Sequence, residues 1–147
     1  MRFPTFPPTD ATLPLGILLL RVSLGVMSIS HGFMKIFLLT IPGTVAFFEN
    51  VGFPGWFAYP TLFAEIVCGI LLVIGVMPRL MALLLLPIQF GALTVHYGNG
   101  WIFTNQGGGW EYPAFLVIVA LALVLLGDGP FTLLRTPDKP RPYKPTE

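Results

Sequence analysis

The stretch that most constrains this chain is Leu20 to Phe37, LRVSLGVMSISHGFMKIF. It is apolar enough to cross a bilayer, yet it carries Arg21, His31 and Lys35. A helix turns about 100° per residue, so with Arg21 at zero, Gly25, Ser28, His31, Gly32 and Lys35 fall near +40°, −20°, −80°, +20° and −40°. Every polar or small residue in this set lies on one side, where the small ones let another helix approach closely. A charge at the centre of a membrane helix costs roughly 2.5–3.5 kcal/mol even on lenient insertion scales. The three ionisable side chains are therefore expected to face into a helical bundle and find partners there.

Composition supports the membrane assignment. Of 147 residues, 54% are hydrophobic and 10% charged, against about 25% charged in a typical soluble domain. Mean hydropathy is +0.79. A net charge of +1 offers no basic surface, so nucleic acid is not an expected partner. The single cysteine, Cys68, excludes an intramolecular disulfide and a Cys-x-x-Cys redox pair; it reads as a small packing residue.

Four apolar segments predict an all-α membrane protein, a four-transmembrane-helix bundle in one domain over residues 12–135. The proline-rich residues 1–11 read as a retained cytoplasmic tail, not a cleaved signal peptide. Thr12 is placed to cap the first helix, with Pro14 in its first turn. The first span ends at Phe37 or Leu39, and Pro42-Gly43 breaks it. Within the following connection, Thr44–Asn50 reads as an interfacial segment dipping Phe47 and Phe48 toward lipid. The second span, Phe57–Met77, carries Glu65, Cys68 and Gly69. Pro78-Arg79 makes a tight link, which forces the second and third helices to be antiparallel neighbours. The third span, Leu80–Tyr97, contains Pro87, Gln89 and His96. A glycine-rich loop, Gly98–Gly109, leads to Trp110-Glu111-Tyr112-Pro113 at the start of a fourth span ending near Leu126. Gly127-Asp128-Gly129-Pro130 stops that helix, and the charged, proline-rich residues 136–147 read as a disordered cytoplasmic tail.

Four spans put both termini on one side. Arg2, Arg79, Arg135, Lys139, Arg141 and Lys144 fall there, against Lys35 alone on the other. The positive-inside rule then places both termini in the cytoplasm of a bacterial cell whose inner membrane holds the protein. In this orientation His31, Lys35, Glu65, His96 and Glu111 lie in the outer half, and Gln89 lies nearer mid-membrane. Arg21 lies in the inner half, where it can reach Glu65 or extend to the headgroups. The outer groups compose a nearly neutral buried network. The structural alternatives are that Lys35, His96 and Glu111 are interfacial, that Arg21 and Gln89 tie helices together, and that the triple glycine is a tight loop.

The ordered set of motifs resembles the DoxX family of small four-span membrane proteins over roughly Leu15 to Leu134. It comprises LLLRVSLGVMSISHGFMKIF with Arg21, His31-Gly32 and Lys35; Glu65 in FAEIVCGILLVIGV; Pro78-Arg79; His96; Asn99-Gly100; and GGGWEYP. The resemblance implies association with membrane oxidoreductases, including subunits of quinol oxidases and thiosulfate:quinone oxidoreductases, so a partner protein or a homo-oligomer is expected.

Three functions are compatible with these residues. In a quinone-linked oxidoreductase subunit, His31, Glu65, His96 and Glu111 would supply hydrogen bonds and proton transfer. Arg21, Lys35 and Gln89 would bind the cofactor, the cations stabilising negative charge on a quinone oxygen. The sequence carries no redox centre of its own, so electrons would come from a partner or a bound cofactor. Haem ligation by His31 and His96 is disfavoured because His96 lies at the extreme end of its span, and a metal site is disfavoured likewise. The alternatives are a non-enzymatic binder or carrier of a lipid, small molecule or ion, and a scaffold within a larger membrane complex.

Overall fold

The computed structural model describes residues 9–137; the outer parts of both expected tails, 1–8 and 138–147, lie outside the described residues. Five helices follow in order: α1 Thr9–Phe37, α2 Ile41–Asn50, α3 Ala58–Ile74, α4 Pro78–Tyr97 and α5 Glu111–Leu126. A 3-10 turn, Gly55–Phe57, leads into α3. Among the described residues the one β pairing is an isolated parallel bridge between Val76 and Leu134. The protein is an all-helical membrane bundle.

α1, α4 and the continuous segment Gly55–Ile74 are long and apolar enough to cross a membrane. α5 is an apolar helix of 16 residues, about 24 Å long against a hydrocarbon core of about 30 Å. It is the fourth helix of the bundle, shorter than the full span expected. α1 is already helical at Thr9, so Thr12 and Pro14 lie inside the helix instead of opening it. Thr12 Oγ1 donates back to the Thr9 carbonyl (3.5 Å), which is the bond of a residue already within a helical turn.

The bundle closes as a ring. α1 packs most extensively on α3, α4 on α5, then α3 on α4, with the seam between α1 and α5 the least extensive. Glycine makes the first of these contacts possible. A Cβ on Gly25 would lie 2.7 Å from the Gly69 carbonyl oxygen, and one on Gly69 would lie 2.9 Å from that of Gly25. The two backbones meet where neither residue has a side chain, the close approach expected of the small face of α1. Leu24, Leu72, Leu85 and Leu123 fill the inner layer and are fully buried. Large apolar side chains such as Leu19, Phe63 and Leu125 stand exposed on the outside, as a lipid-facing surface requires.

α2 is the interfacial segment expected between the first two spans, longer by three residues at its N-terminal end. Thr40 opens it with φ 65°, and its hydroxyl accepts a hydrogen bond from the Gly43 N–H (3.2 Å). The buried Thr44 hydroxyl lies within hydrogen-bonding distance of the Lys35 carbonyl (3.0 Å) and the Thr40 carbonyl (2.9 Å), which ties α2 back onto the end of α1.

The end of the bundle that carries the α3–α4 link is closed by a feature that the sequence did not suggest. Residues 127–136 fold back under the bundle. Met77 N–H donates to the Leu134 carbonyl (2.7 Å), and Leu134 N–H to that of Gly75 (3.1 Å). The Asp128 carboxylate accepts from the Arg79 N–H (3.1 Å), the Thr136 N–H (2.7 Å) and the Thr136 hydroxyl (2.7 Å). It thereby satisfies one of the open N–H groups at the start of α4.

Arg21 is the core of this closure. It is 1% exposed. Its Nη1 donates to the carbonyls of Asp128 and Pro130 (3.0 Å each) and to the Thr132 hydroxyl (3.2 Å), and its Nη2 donates to the Phe131 carbonyl (3.2 Å). The expectation that Arg21 reaches Glu65 or the headgroups is corrected. Carbonyls of the returning segment come close enough to engage the guanidinium fork, so it neither crosses the bundle nor extends out of it.

Candidate functional site

Beyond the leucine layer the helices border a cavity of about 1470 Å³ that is open over part of its surface. It is larger than the roughly 300–1,000 Å³ typical of small-molecule pockets. Every helix and the 98–110 loop contribute to its wall. Most of that wall is apolar or aromatic, including Phe48, Phe53, Phe57 and Trp101. On one side the lining reaches Phe115 and Ile118 of α5, which are 61% and 62% exposed. The cavity therefore extends to the face that α5 turns to lipid.

Six of the seven residues singled out from the sequence line this cavity: His31, Lys35, Glu65, Gln89, His96 and Glu111. Arg21 does not. The six do not form one continuous hydrogen-bonded network, and their roles separate by geometry.

Lys35 and Glu65 pair directly. Lys35 Nζ lies 2.6 Å from Glu65 Oε1 and 2.8 Å from Oε2, with the side chains only 15% and 8% exposed. The small face of α1 places them. Gly32 lies one turn before Lys35, and a Cβ there would stand 2.6 Å from Ile66 Cγ1 of α3. Close helix contact thus brings the ammonium within reach of the carboxylate, and neither charge is left alone in an apolar wall.

His31 Nδ1 lies 2.8 Å from the Met27 carbonyl. A carbonyl can only accept, so Nδ1 carries the proton and Nε2 of the neutral ring is left with a lone pair. The ring stacks on Tyr112 of α5, with centroids 5.6 Å apart and planes 19° from parallel. This contact crosses the least extensive seam of the bundle. Gln89, on α4, is buried at the cavity wall.

His96 and Glu111 organise the loop above. His96 Nδ1 faces the carbonyls of Gly107 (2.9 Å) and Gly108 (3.1 Å), and Asn99 Nδ2 donates to the same two oxygens. Glu111 Oε1 accepts from the Phe103 N–H (2.9 Å). Gly107 and Gly108 have φ near +80°, which side-chain-bearing residues rarely adopt. The triple glycine thus lets two successive carbonyls turn toward one imidazole.

Ser28 and Tyr112, also in the wall, were not among the candidates. The Ser28 Oγ and the Tyr112 Oη are buried with no hydrogen-bond partner. The sequence held a signal for Ser28, which lies between Arg21 and Lys35 on the charged face of α1. Tyr112 gave none beyond its place beside Glu111. Among the described residues no group of three or more His, Cys, Asp or Glu is arranged to hold a metal ion.

The ring of apolar helices with a buried polar site defines a class. The DoxX family matches residues 16–98, and the chain belongs to that family of membrane proteins. It is 30% identical over 120 residues to "Putative oxidoreductase CatD" of Bacillus subtilis (strain 168), covering 81% of this chain and 84% of that relative. No solved structure matches the chain. The family match takes in α1 to α4, whereas the loop and Tyr112, which complete the cavity wall, lie beyond it.

Proposed function

We propose that this protein is the quinone-binding membrane subunit of an oxidoreductase system in the bacterial inner membrane, with both termini cytoplasmic. The observation that carries the proposal is the cavity. It is a large apolar space with a few polar side chains in its wall, and it extends to the lipid-facing side of α5. That form suits an amphiphile with a flat polar head and an apolar tail that enters from the bilayer. The name of the Bacillus subtilis relative supports the oxidoreductase part.

The residues present fit such a head. Ser28 and Tyr112 offer unpartnered hydroxyls, and His31 offers a lone pair at Nε2. A bound quinone supplies two-electron, two-proton redox chemistry. Lys35 and Glu65 place an ammonium and a carboxylate in direct contact beside the cavity, two groups suited to exchanging a proton with a bound head. His31 Nε2 is a proton acceptor whose ring is fixed by the Met27 carbonyl and Tyr112. Electrons come from a partner redox protein.

The test is purification in mild detergent, followed by native mass spectrometry and organic extraction of co-purifying molecules. A stoichiometric quinone is expected, together with reduced quinol-linked activity in a folded Glu65→Gln variant. A lipid or other solute in its place, without electron transfer, would identify a carrier. Nothing bound, before or after adding quinone, would leave the scaffold role.

A further inference from the structure

We infer that Ser28 and Tyr112 are the residues that recognise the head of the cavity's ligand, a planar ring bearing oxygen atoms, by hydrogen bonds from their two hydroxyls. The inference rests on the quinone assignment just made and adds to it the groups that confer selectivity.

The first observation is a contrast within one helix. Ser30, two residues further along α1, makes the bond usual for a helical serine, its hydroxyl donating to the Val26 carbonyl (2.8 Å). On α4, Thr94 bonds back to the Gly91 carbonyl in the same manner (2.7 Å). Ser28 is 3% exposed and its Oγ has no partner, although it too sits in a helix with carbonyls one turn behind it. Its residue lines the cavity. A buried hydroxyl without a partner destabilises the fold, so this one is best explained by a partner that the fold does not supply.

The second observation comes from another helix. Tyr112 Oη is also buried and unpartnered, while its ring is held by stacking on His31. Ser28 and His31 are three residues apart on one face of α1. Ser28, His31 and Tyr112 therefore belong to one part of the wall, contributed by α1 and α5.

The chemistry of the three groups narrows the ligand. A hydroxyl can donate a hydrogen bond to a ring carbonyl, or rotate and accept one from a ring hydroxyl. Once the two side chains turn from their buried positions toward the cavity, Ser28 and Tyr112 can thus serve the oxidised and reduced forms of one ring alike. An ammonium or guanidinium group, which only donates, does not have this property.

The experiment uses the full-length protein in detergent micelles, with a decyl-substituted benzoquinone as the probe. Affinity by equilibrium dialysis and the thermal unfolding midpoint of ligand-free protein are measured for wild type, Ser28→Ala, Tyr112→Phe and the control Ser30→Ala. Each of the first two variants is expected to bind about tenfold more weakly with an unchanged or raised midpoint, and the control to match wild type. Removing a hydroxyl that bonds only to ligand does not lower the stability of the ligand-free fold. Unchanged affinity in either variant would overturn the inference and leave the quinone assignment standing. So would weakened binding with a lowered midpoint, because the hydroxyl would then be structural. A wild type that does not bind the probe would overturn the quinone assignment and this inference with it.

Discussion

Lys35 Nζ sits between the two carboxylate oxygens of Glu65, at 2.6 and 2.8 Å, and joins α1 to α3 inside the apolar wall of the cavity. The pair explains how both charges are accommodated among apolar helices. Each neutralises the other, and neither is stable there without its partner.

A double-mutant cycle tests that dependence. Glu65→Ala leaves a buried ammonium and is expected to destabilise the bundle by about 3 kcal/mol. Lys35→Met combined with Glu65→Leu removes both charges and is expected to recover most of the loss. Thermal or denaturant unfolding in micelles measures it, and a double variant no more stable than Glu65→Ala would contradict the pairing.

The contact of α1 with α3 makes a prediction with its own control. A Cβ at Gly25 meets the Gly69 carbonyl at 2.7 Å and Val73 Cγ2 at 2.8 Å, whereas one at Gly16 meets nothing within 4 Å. Gly25→Ala is expected to destabilise by roughly 1–3 kcal/mol through overpacking. Gly16→Ala, in the same helix, is expected to be neutral or stabilising by about 0.5–1 kcal/mol. Equal effects on the unfolding midpoint would mean that the two backbones are not in close contact.

Arg21 holds residues 128–132 by hydrogen bonds to three carbonyls and one hydroxyl. Lysine keeps the charge but not the fork. Arg21→Lys is therefore expected to speed amide exchange at Met77, Leu134 and Thr136 by about tenfold or more, while α5 amides change little. Hydrogen–deuterium exchange by mass spectrometry resolves these peptides, and unchanged rates would show that the segment closes without Arg21.

The loop above the cavity depends on Gly109, where a Cβ would collide with the carbonyl oxygens of Ile102 and Trp101. Gly109→Ala is expected to displace the loop and weaken binding of added quinone. Gly98→Ala, with nothing within 4 Å, is expected to have no effect. The two variants are compared by tryptophan fluorescence and by dialysis. Normal fluorescence and binding in Gly109→Ala would rule out the tight packing of residues 101–109.

Orientation is tested by labelling intact cells. In a Cys68→Ser background, Gln106→Cys and Arg135→Cys each place a thiol at an exposed position. The first should react with a membrane-impermeant maleimide added from outside, and the second only after lysis. The reverse pattern would invert the topology.

The class of fold and the small, charged face of α1 were legible in the order of residues alone, because both are local. Apolar run length decides what enters a bilayer, and a period of 3.6 residues decides which side chains share a face. The same local rules marked Arg21, His31 and Lys35 as groups expected to find partners inside a bundle.

The tertiary structure decided with what each polar group pairs. Arg21 finds backbone carbonyls 107 to 110 residues away, and a carbonyl has no side chain by which a sequence could announce it. His96 and Glu111 line the cavity, yet their bonds go to loop backbone, because the glycines allow the chain to fold down onto them. Ser28 and Tyr112 look ordinary in sequence, since an unpartnered hydroxyl is defined by what surrounds it. Partner choice depends on helix separations and on the path of the returning chain, and those are set only when the bundle closes.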